Sequence, residues 1–268
     1  MEVSNQFVAT QVRYLAPSWG KTKKLPRIYD RDSRRANTEK VDVLVRDARD
    51  IADTITLDVN GFELFDYRSP ISDFEDAEAI TEVYRPAIAE FVRDLMGANE
   101  VFITNHLIRT EDKSDFNKAY ARFVHCDYSL KTARSASLSL LKNRSLDTES
   151  YENAEFAWFN TWQPFDNPVQ QNPLAVLDAS TIQEGDIVDY VYGGTGKSST
   201  SSMPLRREEH QFYYYRDMLP DEVLLIKQLD TRIGRARVSP HTSFVDPNSP
   251  LDALPRRSIE VRLMAVFK

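Results

Sequence analysis

Cysteine is almost absent from this chain of 268 residues: Cys126 is the sole one. A single thiol excludes an intrachain disulfide and fits a reducing compartment, so a cytoplasmic location is expected. Long apolar runs are missing too, and without about eighteen such residues in a row no helix spans a membrane. Met1 to Pro17 lacks the charged-then-apolar pattern of a secretory leader. Positive charge is in deficit, with 34 Lys and Arg against 41 Asp and Glu, a net charge of −7. A nucleic-acid partner, which needs a basic face, is therefore not expected. What remains is 41% hydrophobic and 28% charged, the make-up of a globular protein with a core. No internal repeat and no linker divides the chain. Residues 1–268 are read as one domain, a size at which all-β barrels form single units.

Residues 1–38 carry basic patches (Lys21, Lys23, Lys24, Arg27, Arg31) with Pro17 and Pro26, and read as an extended, solvated arm. Val41, Val43 and Val45 alternate as in a strand with one buried face. Thr54 to Val59 and Phe62 to Tyr67 flank Asn60-Gly61, a turn signal, and together read as a hairpin. Ser72-Asp73 can cap a helix from about Glu75 to Met96. Its Ile80, Tyr84, Ala87, Ile88, Phe91 and Leu95 recur at helical spacing, and Pro86 is set to kink it. A second helical pattern runs from Lys131 to Arg144. Strand-like runs fill the rest: Val101 to Arg109, Phe156 to Trp162, Leu174 to Leu177, Ile187 to Tyr192, Gln211 to Tyr215, Glu222 to Gln228 and Ser258 to Phe267. Many short strands and little helix point to a mainly β fold, an antiparallel sandwich or barrel with flanking helices. Gly193-Gly194-Thr195-Gly196-Lys197-Ser198 ends like a phosphate-cradling loop, but Val191 stands where its first glycine belongs. No helix follows to hold phosphates. Residues 193–207 read instead as a mobile loop, a candidate lid.

Histidine is scarce as well, with four in the chain. In Arg122-Phe123-Val124-His125-Cys126-Asp127-Tyr128 an imidazole and a carboxylate stand two positions apart. On an extended backbone both point to one face, and Cys126 points to the other as a small buried hydrophobe. A second imidazole, His241, lies far downstream, and 256 − 241 = 15 positions later comes Arg256-Arg257-Ser258. Two imidazoles and a carboxylate on one face of a metal leave three positions open for oxygen chemistry. A planar guanidinium with a neighbouring hydroxyl suits a carboxylate. Each signal taken singly also fits a structural role, since a lone strand histidine is commonly a satisfied core residue. His106 lacks a carboxylate at ligand spacing and His210 sits beside the loop; neither is read as a ligand.

Longer blocks are more specific. They begin with Asp47-Ala48-Arg49, Leu57-Asp58 with Gly61-Phe62, and Gly97-Ala98 leading to Asn105-His106 and Arg109. They continue through Arg122-x-Val124-His125-x-Asp127-Tyr128, Asn160-x-Trp162, and Pro173-Leu174-Ala175-Val176 with Asp178. Tyr213-Tyr214-Tyr215, Asp217-Met218, Pro240-His241-Thr242 and Arg256-x-Ser258-Ile259-Glu260-Val261-Arg262 close the series. In this order they resemble the fungal hydroxylase/desaturase family of iron(II)/2-oxoglutarate-dependent oxygenases, from about Val41 to the end. The resemblance implies a double-stranded β-helix (jelly-roll) core with helices outside and an iron site at its open end. It implies Fe(II), 2-oxoglutarate and O2 as reagents, with His125, Asp127 and His241 as metal ligands. Arg256 and Ser258 would hold the distal carboxylate of 2-oxoglutarate. The expected reaction is hydrogen abstraction from a C–H bond of a small molecule, leading to hydroxylation, desaturation or ring closure. Halogenation is disfavoured, because Asp127 fills the position that halogenating relatives leave to chloride. Arg122, Tyr128, Asn160, Trp162 and Tyr213 are candidate pocket residues, although aromatic residues in strands mostly pack cores.

Three positions depart from the family pattern. Gln163 stands where an arginine is usual between Trp162 and Pro164, Arg257 where an acid is usual, and Asn105 where an aspartate is usual. The first puts a substrate or co-substrate contact in question. Two other readings stay open: a cupin-like metal enzyme that works without 2-oxoglutarate, and a non-catalytic binding module on the same barrel. The sequence leaves the substrate and the oligomeric state undetermined.

Overall fold

The structure is a computed structural model that describes residues 7–110, 121–193 and 199–268. In chain order its strands are β1 (Phe7–Leu15), β2 (Arg27–Ile28), β3 (Thr38–Asp47), β4 (Phe62–Asp66), β5 (Glu100–Arg109), β6 (Glu155–Pro164) and β7 (Leu174–Leu177). They continue as β8 (Ile187–Tyr192), β9 (Ser199–Pro204), β10 (Phe212–Tyr214), β11 (Glu222–Asp230), β12 (His241–Ser243) and β13 (Ser258–Phe267). Two five-stranded sheets, ordered β1-β3-β10-β7-β12 and β4-β11-β6-β13-β5, make the body, and β2-β8-β9 form a smaller third sheet. This is the jelly-roll core that the sequence implied.

Side-chain alternation explains how the layers stack. Phe62, Trp162, Leu224 and Ile226 of the second sheet meet Val176, Tyr213 and Tyr215 from the side of the first. The opposite positions of the same strands, Ala157, Phe159, Val223, Leu225, Val261 and Leu263, pack under a helix through Tyr84, Ile88 and Val92. Strands β6, β11 and β13 are thus buried on both faces, which is why they read as nearly continuous apolar runs. A polar residue within them needs a partner, and Asn160, Gln228, Ser258, Glu260 and Arg262 are those on the side of the site.

The helix expected from Glu75 to Met96 begins at Ala77 and changes pitch: a π turn, Ile80–Tyr84, precedes regular α-helix over Arg85–Met96. Pro86 is the cause. It offers no N–H to the carbonyl four residues back, and its ring crowds that carbonyl. Gly97, at φ +60°, ends the helix in the left-handed conformation that glycine adopts most freely. The second helix runs Ala133–Asn143 after a short 3-10 turn.

Three local expectations are overturned. The solvated arm expected over residues 1–38 is not what residues 7–38 form, because β1 pairs along its full length with β3, from Phe7↔Arg46 to Leu15↔Thr38; residues 1–6 lie outside the described residues. Val8, Val12, Tyr14 and Leu15 of β1 are buried, and Arg31–Asn37 is a helix capped by Asp30. Thr54 to Val59 is not a strand. The Asn60 side chain accepts from the Thr56 amide at 3.0 Å and the Asn60 amide donates to the Thr56 carbonyl at 2.8 Å, closing a turn there. Within 193–207, Ser199–Pro204 is β9, paired to β8; residues 194–198 lie outside the described residues.

Candidate active site

Residues 121–128 run between the sheets and are fixed by backbone pairing on both sides. The Val124 amide donates to the Arg13 carbonyl at 2.8 Å. His125 and His241 exchange both backbone hydrogen bonds, at 3.1 and 2.9 Å, so the two histidines stand directly opposite each other, ring centroids 4.6 Å apart. Cys126 exchanges its own pair with Ser202 on β9 and is buried, with burial pushing its thiol well up. Alternation then returns Asp127 to the side of His125: Oδ1 lies 3.8 Å from His125 Nε2.

Both imidazoles favour the neutral form. His125 Nδ1 lies 2.9 Å from the Phe123 carbonyl, a bond in which the nitrogen donates, and this leaves Nε2 with its lone pair. Burial holds the His125 imidazole below its usual range, and burial with the neighbouring His125 brings His241 down to about 4. For Asp127, burial pushes upward, but Arg262 and the two histidines outweigh it and hold the carboxyl well below the usual range.

Asp127 is gripped from the sheet beneath. Asn160 on β6 and Arg262 on β13 are register partners. Asn160 Nδ2 donates to Oδ2 at 2.6 Å and Arg262 Nη2 donates to Oδ1 at 2.9 Å. Arg262 Nε also donates to Glu260 Oε1 at 2.7 Å. On β11, Gln228 is the bulged residue where the register shifts between Lys227 and Leu229, and it lies on the site side with Ile226, the partner of Asn160. Gln228 Oε1 accepts from the Asp127 amide at 3.0 Å, and its Nε2 lies 3.4 Å from His241 Nδ1. Among the described residues no three His, Cys, Asp or Glu side chains are already set around a common metal position. His125, Asp127 and His241 converge with the carboxylate turned onto Arg262 and Asn160, and each of its oxygens keeps a further lone pair.

Beside this trio a cleft open to solvent is lined by Arg109, Ala121, His125, Trp162, Leu174, His241, Ser243, Arg256 and Glu260. Arg256 is 4% exposed, lies over the Trp162 ring at 5.2 Å and donates to the Asn172 carbonyl. Ser258 is fully buried, and its Oγ has no hydrogen-bond partner among the described residues. A buried hydroxyl left unpaired is costly, and this one stands on the same face of β13 as Glu260 and Arg262.

The remaining candidates sit elsewhere. Tyr128 packs on Trp158, ring centroids 4.5 Å apart, on the side of the Ala133–Asn143 helix. Tyr213 belongs to the core between the sheets, against Phe62. Arg122 donates to Asn172 Oδ1 at 2.9 Å and is not among the cleft-lining residues. Asn160 reaches Asp127 rather than the cleft, and Trp162 forms a cleft wall. Gln163 faces the helix layer: it accepts from Tyr84 Oη at 2.7 Å and donates to the carbonyls of Tyr67 and Pro220 at 3.1 and 2.7 Å. The concern that Gln163 alters a substrate contact is therefore answered by its direction. Arg257 pairs at the surface with Asp166 and Glu75, at 2.6 and 2.7 Å. Sequence reasoning gave no role to Arg109, Gln228, Glu260 or Arg262. The two-residue spacing from Ser258 could have flagged Glu260 and Arg262; nothing in the sequence announces the bulge at Gln228.

Residues 12–267 match a family model described as an oxidoreductase/YMDC permease-like domain. The hydroxylase/desaturase efuI of Hormonema carpetanum is 30% identical over 254 residues, covering 84% of this chain and 83% of that protein. The chain belongs to the fungal hydroxylase/desaturase family of iron(II)/2-oxoglutarate-dependent oxygenases. Another relative, the Fe(II)/2-oxoglutarate-dependent dioxygenase nvfI of Aspergillus novofumigatus, is 31% identical over 232 residues, covering 83% of this chain and 82% of that one. A solved structure of the iron and alpha-ketoglutarate-dependent endoperoxidase NvfI superposes with a TM-score of 0.85 at 26% identity, covering 98% of each chain. Among the described residues no helix is long and apolar enough to cross a membrane, whatever the permease in the family description. The reagents of this oxygenase family are iron(II), 2-oxoglutarate and O2. The residues present fit them: two neutral imidazoles and an ionised carboxylate suit a hard-to-borderline dication, and an unpaired buried hydroxyl beside a buried guanidinium suits a carboxylate.

Proposed function

We propose that this oxygenase hydroxylates, desaturates or cyclises a small-molecule substrate by hydrogen abstraction, with His125, Asp127 and His241 holding iron(II) and Arg256 and Ser258 holding 2-oxoglutarate. The observation that carries this reading is the backbone pairing of His125 with His241, which turns both imidazoles and Asp127 toward one space at the edge of the cleft. When bound, the iron couples oxidative decarboxylation of 2-oxoglutarate to activation of O2.

The chain's own part is positional. The Phe123 carbonyl fixes the His125 tautomer, and Gln228 links the His241 ring to the Asp127 backbone. Arg256, stiffened by the Trp162 face and the Asn172 carbonyl, offers a two-point grip for the distal carboxylate, and Ser258 adds a donor. Trp162 and Leu174 give the cleft apolar walls against which a substrate excludes water.

The test is anaerobic titration of metal-free protein with iron(II) and 2-oxoglutarate, watching the weak visible charge-transfer band of the chelate. The band is expected in the native chain. In Arg256→Ala the 2-oxoglutarate needed to produce it should rise roughly a hundredfold, the scale for unpairing a buried charged contact. Iron binding without a band would instead favour a cupin-like enzyme that works without 2-oxoglutarate, and no succinate would then form.

A further inference from the structure

Two buried carboxylates face the histidines. Besides Asp127, Glu260 lines the same cleft as His125 and His241 and is 7% exposed. One guanidinium spans both: Arg262 Nε donates to Glu260 Oε1 at 2.7 Å, and Nη2 donates to Asp127 Oδ1 at 2.9 Å. The supports differ sharply. Asp127 has Asn160 on its second oxygen and Gln228 on its amide. Glu260 receives its one side-chain hydrogen bond among the described residues from Arg262.

A dication takes carboxylate oxygens readily, so an unrestrained second carboxylate at the site would fill a position that 2-oxoglutarate or O2 needs. We infer that Arg262 is the positioning residue that sorts the two acids, fixing Asp127 as ligand and withholding Glu260 from the metal. This inference rests on the metal-site reading above. Arg109 lines the same cleft and its charge also acts on Glu260, but among the described residues Arg262 is the donor shared by both acids. Without Arg262, Glu260 loses its hydrogen-bonded partner and is drawn to the dication.

The experiment compares wild type, Arg262→Met, and Arg262→Met with Glu260→Gln. Iron(II) affinity is read by competition with a chromophoric chelator, and 2-oxoglutarate binding by the anaerobic charge-transfer band. Arg262→Met should still bind iron(II), but its apparent 2-oxoglutarate affinity should fall roughly 10- to 100-fold, the range for losing a partner of a metal ligand. Cobalt(II) in the same variant should show an altered visible spectrum. Adding Glu260→Gln should restore both signals. A wild-type band in Arg262→Met overturns the inference, as does a lost band that Glu260→Gln does not rescue. If Arg262→Met yields no folded protein, Arg262→Lys carries the test. Lysine keeps the charge as a point donor that cannot hold both acids, so an unchanged band there, or a weakened one that Glu260→Gln fails to restore, overturns the inference equally. A wild-type chain that binds no iron(II) would fail the metal-site reading itself, separately from the role of Arg262.

Discussion

Two buried ionic clusters share strand β11, one built on Lys227 and one met by the next residue, Gln228. The first is closed. Lys227 is fully buried with Nζ 2.9 Å from Asp230 Oδ2 and 3.6 Å from Asp58 Oδ1, and Arg232 takes both oxygens of Asp230 at 2.9 and 2.7 Å. None of these residues lines the cleft. The second cluster, Asp127 with Arg262 and Glu260, meets the cleft, which Glu260 lines. Both contain perturbed groups: burial pushes the Lys227 amine down, while the Asp127 carboxyl is held low despite burial. Burial and shifted titration therefore do not separate scaffold from chemistry here. Access to space does.

The sharpest way to break the comparison is Asp230→Ala. It leaves Lys227 buried without its nearest partner and should cost about 3–5 kcal/mol of stability. Urea unfolding measures the loss, and the fraction still folded should bind iron(II) as before. Next in size is Gln163→Ala, which strands the fully buried Tyr84 hydroxyl and should cost about 1–3 kcal/mol. Its charge-transfer band with 2-oxoglutarate should be unchanged, because Gln163 looks away from the cleft. Ser258→Ala should do the reverse. Metal-free stability should stay level or rise, since an unpaired buried hydroxyl is removed, while 2-oxoglutarate affinity falls by about 0.5–1.5 kcal/mol. Calorimetry of the metal-free protein and the band titration read the two effects separately.

The smallest effect concerns acid. His210 stacks on Tyr14, with Nδ1 3.0 Å from the Tyr14 hydroxyl, and burial holds its imidazole below the usual range against the pull of Asp186. The native chain then takes this proton at lower pH than the unfolded chain does. Stability should fall as pH drops below about 6.5, where the unfolded imidazole begins to charge. In His210→Gln that part of the slope should flatten, as urea midpoints between about pH 7 and 5 would show.

The parts legible in the sequence are those where one short-range rule decides. The His-x-Asp spacing placed both side chains on one side and Cys126 on the other. Continuous apolar runs located β6, β11 and β13. Where long-range pairing decides, sequence reasoning failed. In β1 the alternation of Val8, Val12 and Tyr14 was present, but the basic residues that follow outweighed it; only pairing with β3 makes it a strand. Thr54 to Val59 alternated like a strand, and local Asn60 hydrogen bonding won. Gln228 shares the face of Leu224 and Ile226, but nothing short-range says that this face meets Asp127 and His241 there. Arg262 closes the Arg256-x-Ser258-Ile259-Glu260-Val261-Arg262 block, yet no local rule gives it a task. Its task depends on Asn160 lying opposite it one strand away, and on Asp127, 135 positions earlier in the chain.

That pairing has a consequence for how such a cleft can be re-engineered or drift. β13 gives Ser258, Glu260 and Arg262 to one face and Ile259, Val261 and Leu263 to the helix layer. A slip of β13 by one residue against β6 exchanges the two sets whole, so it replaces a hydroxyl, an acid and a guanidinium with three aliphatic side chains. New substrate preferences must then arise by substitution, or from cleft-lining positions outside this sheet. Ala121, Leu174 and Ser243 are such positions, and there the wall can change while the register stands.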